Sequence, residues 1–254
     1  MPRPSPDTAI RCVDLSIAHG AGDRVVDGVS FSVRAGAVLA VMGATGSGKS
    51  SLAAVLAGAE AEALSVVGGS AEVAGIAVHK RGRSRRVRTY LTGYLAQGAG
   101  AALPSRSTVS EVIAEPITSR DRRVNQRALA VRVASLLDEL QLPLGAAPKY
   151  PYELSAGMRQ RVALARALIL QPRVLIADEP YANLDLEVRV VAREALQRRR
   201  ADDDMALLVV TNEAEAAREL DADVLVLRAG HPVAFGHSVD DLLWTPGGDA
   251  RIAP

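Results

Sequence analysis

Val29 to Arg34 alternates apolar and polar residues, the period-two pattern of a half-buried strand, and Ala9 to Ala18 alternates in part and reads the same way. Val38 to Met42 is short and wholly apolar, the pattern of a parallel strand buried on both faces. A glycine-rich turn follows, then a helix from Lys49 to about Ala57. Ser70 to Val78 and Leu91 to Ala96 read as further strands. From about Val109 to Leu142 the rhythm becomes helical, with Leu129, Val133, Leu136, Leu137 and Leu140 at helical spacing, which predicts a small helical subdomain over about 98–170. Strand and helix then alternate: helix Ala156–Leu170, strand Val174–Ala177, helix Leu186–Arg199, strand Ala206–Thr211, helix Glu213–Leu220 and strand Val224–Leu227. Such alternation predicts an α/β fold whose mostly parallel sheet is covered on both faces.

Composition changes this picture little. The 254 residues suffice for a substantial core, and an apolar fraction of 48% is ordinary for a globular chain. Aromatics make up only 3%, so the core must rest on Ala, Val and Leu. A net charge of +1 argues against nucleic acid as a partner held by bulk charge. Cys12 is the single cysteine, so no internal disulfide can form. No run of about 18 apolar residues exists to span a bilayer. Residues 1–8 read as a Pro-rich disordered lead without a signal peptide, 9–245 as one domain and 246–254 as a tail, which points to a cytoplasmic chain whose membrane role would come through partners. Lys80 to Arg88 (KRGRSRRVR) reads as a solvated, unstructured surface run, with contact to lipid head groups as the alternative.

Chemistry enters at Gly43-Ala44-Thr45-Gly46-Ser47-Gly48-Lys49-Ser50, a full match to G-x-x-x-x-G-K-[ST] between an apolar strand and a helix. Glycines let the backbone curl so that N–H groups face phosphate oxygens, and the helix N-terminus adds positive partial charge. Lys49 would place a cation on the β- and γ-phosphates, and Ser50 would give a hydroxyl to Mg²⁺. The motif predicts a nucleoside triphosphate. Downstream, the apolar strand from Val174 ends in Asp178-Glu179-Pro180. A carboxylate at a strand tip beside the phosphate loop suits Mg²⁺, which is the role expected of Asp178. Glu179 would polarise the attacking water as general base.

The segment Leu154-Ser155-Ala156-Gly157-Met158 resembles the L-S-G-G-Q signature of ABC ATPases, placed just before the carboxylate strand. Physically it is a small-residue turn opening a helix, with Ser155 as N-cap, and so a second anion site. The resemblance implies the P-loop fold of that family, with an antiparallel β subdomain and an inserted helical subdomain. It also implies that two ATP are held head to tail between two such chains, the signature turn gripping the γ-phosphate in trans. Gln97 matches the Q-loop glutamine that senses Mg²⁺. Asn183-Leu184-Asp185 matches the D-loop. Lys149 to Val162 together with Leu175 to Pro180 is similar to the dipeptide, oligopeptide and nickel importer ATPases, Met158 standing where most ABC proteins have glutamine. That branch implies a second ATPase subunit, two membrane permeases and an extracytoplasmic substrate-binding protein, with the chain on the cytoplasmic face of the membrane. Peptide is the first expectation for substrate, and nickel or another small solute the second.

Three positions depart from the family pattern. Asn212, which follows Thr211 (a candidate nucleotide contact), replaces the switch histidine: it can hydrogen-bond but cannot carry a positive charge or pass a proton. Ala156 replaces a signature glycine. His19 stands where an aromatic residue stacks on adenine. These departures predict slow hydrolysis at this chain's own site and a non-identical ATPase partner. A regulatory subunit that binds ATP and hardly consumes it is the competing reading.

Overall fold

The computed structural model describes residues 7–20, 22–59, 64–121, 123–182 and 184–245. The lead (except Asp7 and Thr8), the tail and Asn183 therefore lie outside the described residues. Strand β1 (Thr8–His19) starts inside the segment read as lead and pairs antiparallel with β2 (Arg24–Arg34). After β3 (Val38–Met42) and helix α1 (Lys49–Ala57), β4 (Leu64–Val73) returns to the other edge of β1 and pairs with the short β5 (Ile76–Ala77). These four strands form one antiparallel sheet in the order β2-β1-β4-β5. The single strand expected over Ser70–Val78 is thus two strands, because the chain turns through Ala74 (φ 50°) and Gly75 (φ 73°).

Helix α2 (Arg83–Leu91) leads into β6 (Thr92–Leu95). Helices α3 (Val109–Thr118), α4 (Gln126–Glu139) and α5 (Ala156–Leu168) follow before β7 (Val174–Asp178). The chain closes with α6 (Leu186–Asp203), β8 (Ala206–Val210), α7 (Ala214–Glu219), β9 (Asp223–Arg228), β10 (His231–Gly236) and β11 (Leu243–Trp244). The second sheet runs β11-β10-β9-β3-β8-β7-β6, parallel from β9 to β6 and antiparallel at the β10 and β11 end.

The expectation of an unstructured basic run does not hold. Helix α2 forms from its second half, and Arg88 is buried at 2% exposure, donating to the carbonyls of Ala77 and Val78 at 3.0 and 2.8 Å. Two hydrogen-bonded acceptors make that burial tolerable and stitch the helix to β5.

The wholly apolar strands are explained by what lies on each side. Val38, Ala40 and Met42 of β3 face one core with α5, α6 and α7, whereas Leu39 and Val41 face the other with α1 and the antiparallel sheet. β7 and β8 divide in the same way: Leu175, Ala177, Leu207 and Val209 point to the first core, Val174, Ile176, Leu208 and Val210 to the second. Period-two side chains buried on both faces need an apolar residue at every position. Helix α3 opens with a reciprocal cap: Thr108 N–H donates to Glu111 at 2.7 Å and Glu111 N–H to the Thr108 hydroxyl at 3.3 Å. Asn125, Ser155 and Asp185 cap α4, α5 and α6. Among the described residues no helix is long and apolar enough to cross a membrane.

Candidate nucleotide site

Strands β3, β8 and β7 are neighbours in the parallel sheet, so the segments leaving their carboxyl ends meet. β3 delivers the 43–50 loop, β7 delivers Asp178 and Glu179, and β8 delivers Thr211 and Asn212. A cavity of about 360 Å³ opens there, lined by His19, Thr45 to Ser51, Gln97, Asp178, Glu179 and Asn212, with Val25 and Val210.

The loop's shape comes from glycine. Gly43 (φ 140°) and Gly48 (φ 95°) have left-handed backbones, and a Cβ on either would stand 2.1 Å from a carbonyl oxygen, of Leu227 and Val25 respectively. Gly46 (φ 81°) has open space around it. Gly48 is also the N-cap of α1, with no side-chain cap and no acidic residue in the first turn. The helix therefore presents uncapped N–H groups and an uncompensated dipole at the cavity.

Lys49 is 6% exposed and folds back onto its own loop, donating to Gly43 O at 2.6 Å and Ala44 O at 3.0 Å. Burial pulls its ammonium below the usual lysine range, opposed by the charges of Glu179 and Asp178. Asp178 is 2% exposed, and burial pushes its carboxyl up, against a hydrogen bond from Ser50 and the charge of Lys49. Its Oδ1 has no hydrogen-bond partner, nor has the buried Ser47 Oγ. A buried carboxylate oxygen left unpaired beside a serine hydroxyl is a fitting donor set for a hard cation that keeps most of its ligands from water and phosphate. Among the described residues there is no group of three or more His, Cys, Asp or Glu that could hold a metal ion.

Glu179 has the left-handed φ of 50°, a strained conformation for a non-glycine residue. Its N–H donates to Val210 O at 2.9 Å, which ties the turn to β8. Burial pushes its carboxyl up, helped by Asp178 and Glu213 and opposed by Lys49 and by the Thr211 hydroxyl, which lies 3.4 Å away. Thr211 is buried, does not line the cavity, and also accepts from Glu213 N–H at 3.1 Å. It touches the carboxylate rather than the open space.

Residues of the expected site are thus brought together from separate stretches of chain. Gly43 and Ala44 lie behind the cavity wall as carbonyl acceptors for Lys49. The Leu154–Met158 turn is not in the cavity. Ser155 accepts from Met158 N–H at 3.2 Å, and Ser155 and Ala156 are exposed, so the turn faces outward from the first turn of α5. A Cβ on Gly157 would meet only Leu184, at 3.9 Å, which sets that residue of the 183–185 segment beside the turn. Val25, Ser51 and Val210 join the cavity without having carried any sequence signal.

Three relatives place this arrangement. A peptidoglycan transport ATP-binding protein, YejF of Agrobacterium fabrum, is 31% identical over 85% of this chain and 39% of its own length. The oligopeptide transport ATP-binding protein OppF of Escherichia coli is 30% identical over 88% of this chain and 66% of its own. The sulfate/thiosulfate import ATP-binding protein CysA of Bordetella pertussis is 36% identical over 82% and 56%. The chain spans under two thirds of the length of each of these relatives. Its fold is that of the ATP-binding cassette MJ0796, solved as a dimer bound to ADP and Pi, with a TM-score of 0.80 at 22% identity over 89% of this chain and 97% of that one. Residues 26–182 match the family described as ABC transporter, and with the phosphate loop and carboxylates inside that span, the chain belongs to the ABC transporter family.

Proposed function

We propose that the chain binds ATP in the cavity beside Lys49 and hydrolyses it to drive import through a membrane complex. The observation that carries this is the convergence of the glycine loop, Lys49, Ser50, Asp178, Glu179 and Gln97 on one cavity at the carboxyl ends of adjacent parallel strands. In this reading Lys49 exchanges its two carbonyl partners for β- and γ-phosphate oxygens. Uncapped N–H groups of the loop and α1 take the remaining phosphate oxygens, and His19 stacks on adenine. Ser50, Asp178 and Gln97 are the residues that would hold Mg²⁺, whose contribution is to neutralise charge on the phosphates. Glu179 takes the proton of the water that attacks the γ-phosphorus as the bond to the bridging oxygen breaks. Asn212 holds the γ-phosphate or that water by hydrogen bonding.

The outward turn Leu154-Ser155-Ala156-Gly157-Met158 would close on nucleotide held by a second ATPase subunit, with Asn183-Leu184-Asp185 at the same seam. Exposure of Ser155 and Ala156 supports this part. The partner is a non-identical ATPase; two permeases and an extracytoplasmic binding protein complete the complex at the cytoplasmic face. The helices within about 98–170 would act as a helical subdomain carrying motion to the permeases. Peptide is the proposed substrate, by likeness to OppF, with nickel or another small solute behind it.

A regulatory subunit with little turnover is favoured by one observation: Asn212, not histidine, lines the cavity. The test is ATPase activity of the purified complex with Glu179→Gln here against the matching change in the partner, and with Asn212→His here. Loss of most activity from the partner's change alone, and a rise with Asn212→His, identifies a slow site. Loss of all activity and transport from Glu179→Gln here overturns it. Absence of ATP binding by the intact complex rejects the whole proposal.

A further inference from the structure

Gln160 lies in α5, five residues past the Ser155 cap, and is buried at 6% exposure. Its amide makes two hydrogen bonds in opposite senses. Gly100 N–H donates to Oε1 at 3.2 Å, and Nε2 donates to Pro180 O at 3.3 Å. Gly100 lies three residues beyond Gln97, and Pro180 directly follows Glu179. One buried side chain therefore joins the signature helix, the Gln97 loop and the Glu179 turn. Only a primary amide offers an acceptor and a donor at the same reach, so neither Glu nor Leu reproduces the junction. The approach is also close: a Cβ on Gly100 would stand 2.8 Å from Gln160 N and 2.9 Å from Oε1. Buried polar groups leave little alternative to these partners, because an unpaired one is costly.

We propose that Gln160 is a positioning residue that couples the placement of the Ser155 turn to the geometry of this chain's own Gln97 loop and Glu179 turn. The inference rests on the ATP-hydrolysis reading above. Helix α5 carries at one end the turn that would engage the partner's nucleotide, and five residues further on it holds both segments that would act on the chain's own. A displacement of α5 when the seam closes moves Gly100 and Pro180 with it. The two ATP of a sandwich would then be linked through a single amide in each chain.

The experiment compares wild type, Gln160→Glu, Gln160→Leu and Gly100→Ala in the intact complex. Three readouts are taken: steady-state ATPase against MgATP, binding of a fluorescent ATP analogue, and amide hydrogen exchange at Gly100 and at 181–184. Gln160→Leu is expected to lower kcat at least tenfold, leave nucleotide affinity within twofold, and speed exchange in both segments together. Gln160→Glu keeps an acceptor for Gly100 but sets a carboxylate oxygen against Pro180 O, so it should slow turnover while Gly100 stays protected and 181–184 opens. Gly100→Ala reaches the junction from the other side and should reproduce the kcat loss. Exchange that rises in neither segment, or a kcat per folded molecule that stays at wild type while thermal stability drops, overturns the proposal. A wild-type complex that binds ATP without turning it over removes the hydrolysis reading, and the exchange pattern alone then decides the coupling.

Discussion

Lys49→Met isolates the ammonium from its stem. Methionine keeps nearly the same length and packs as well, but donates nothing. Lys49 makes two charge-assisted hydrogen bonds, at 2.6 and 3.0 Å, to carbonyls of its own loop. In the proposed complex those bonds pass to phosphate oxygens. Exchanging a neutral carbonyl for an anionic phosphate oxygen strengthens each bond, and a gain of about 1.5–2 kcal/mol per bond gives about 3–4 kcal/mol of lost binding, or a Kd raised by roughly 10²–10³. Stability should change far less. Methionine leaves Gly43 O and Ala44 O without the ammonium, but Ala44 is exposed and Gly43 partly so, which lets water replace it, and the cost of burying a cation vanishes. A net change within about 1 kcal/mol moves the melting temperature by no more than about 2–4 °C in a chain of this size. Calorimetric titration with MgATP and thermal unfolding of the same samples supply the two numbers. A Kd that rises less than tenfold refutes the phosphate role. A melting temperature that falls by about 8 °C or more refutes the exchange argument, since Lys49 would then be holding the loop together.

Gly48→Ala should lower stability by about 3 kcal/mol, combining a left-handed backbone penalty of about 1–2 kcal/mol with overpacking against Val25 O; Gly46→Ala, with open space around it, should cost only the backbone part, and equal effects in thermal unfolding would contradict this. Arg199→Met should cost about 2–3 kcal/mol in urea unfolding, because it breaks a two-pronged pair (2.8 and 2.6 Å) between α6 and Glu139 of α4 whose side chains are 13% and 18% exposed. Arg166→Met removes a pair with Glu115 that is 44% and 50% exposed and should cost about 0–1 kcal/mol. His237 is held above its ordinary pKa by hydrogen bonding to and attraction from Asp223. Its pair is therefore fully present below about pH 6.5 and fades as pH rises through the raised value. The melting temperature of His237→Gln should fall short of wild type at pH 5.5 and match it at pH 8.5.

Much of the parallel sheet was legible because each buried strand announces itself locally. Val38–Met42, Val174–Ala177 and Ala206–Val210 are unbroken apolar runs, and the structure buries every residue of them. β10 was not read because it is a half-exposed strand near the sheet's end, with His231, Pro232 and Phe235 interrupting any rhythm. α2 was hidden for a different reason. Its sequence holds four arginines, its Val87 and Tyr90 stay exposed, and what fixes it is Arg88 reaching carbonyls ten and eleven residues back, a contact that no local pattern encodes. The cavity divides along the same line. Lys49, Ser50, Asp178 and Glu179 carry their chemistry in adjacent residues. His19, Gln97 and Asn212 do not, and only resemblance pointed to them before the fold brought them within one cavity. Gln160 escaped because its meaning is its two distant partners.

Two glycines of the phosphate loop have a further consequence for how this fold can drift. Leu227 O and Val25 O shut out a methyl group at Gly43 and Gly48 from within the protein, with no ligand involved. A descendant that abandoned nucleotides would still be held to both by stability, since replacing either costs the fold several kcal/mol of its narrow margin. Lys49, Ser50 and Asp178 have no such obligation, since each sits beside open space and serves mainly what enters it. The silencing of this cassette in a lineage would therefore be recorded first at those three positions, while the glycine scaffold around them went on looking intact.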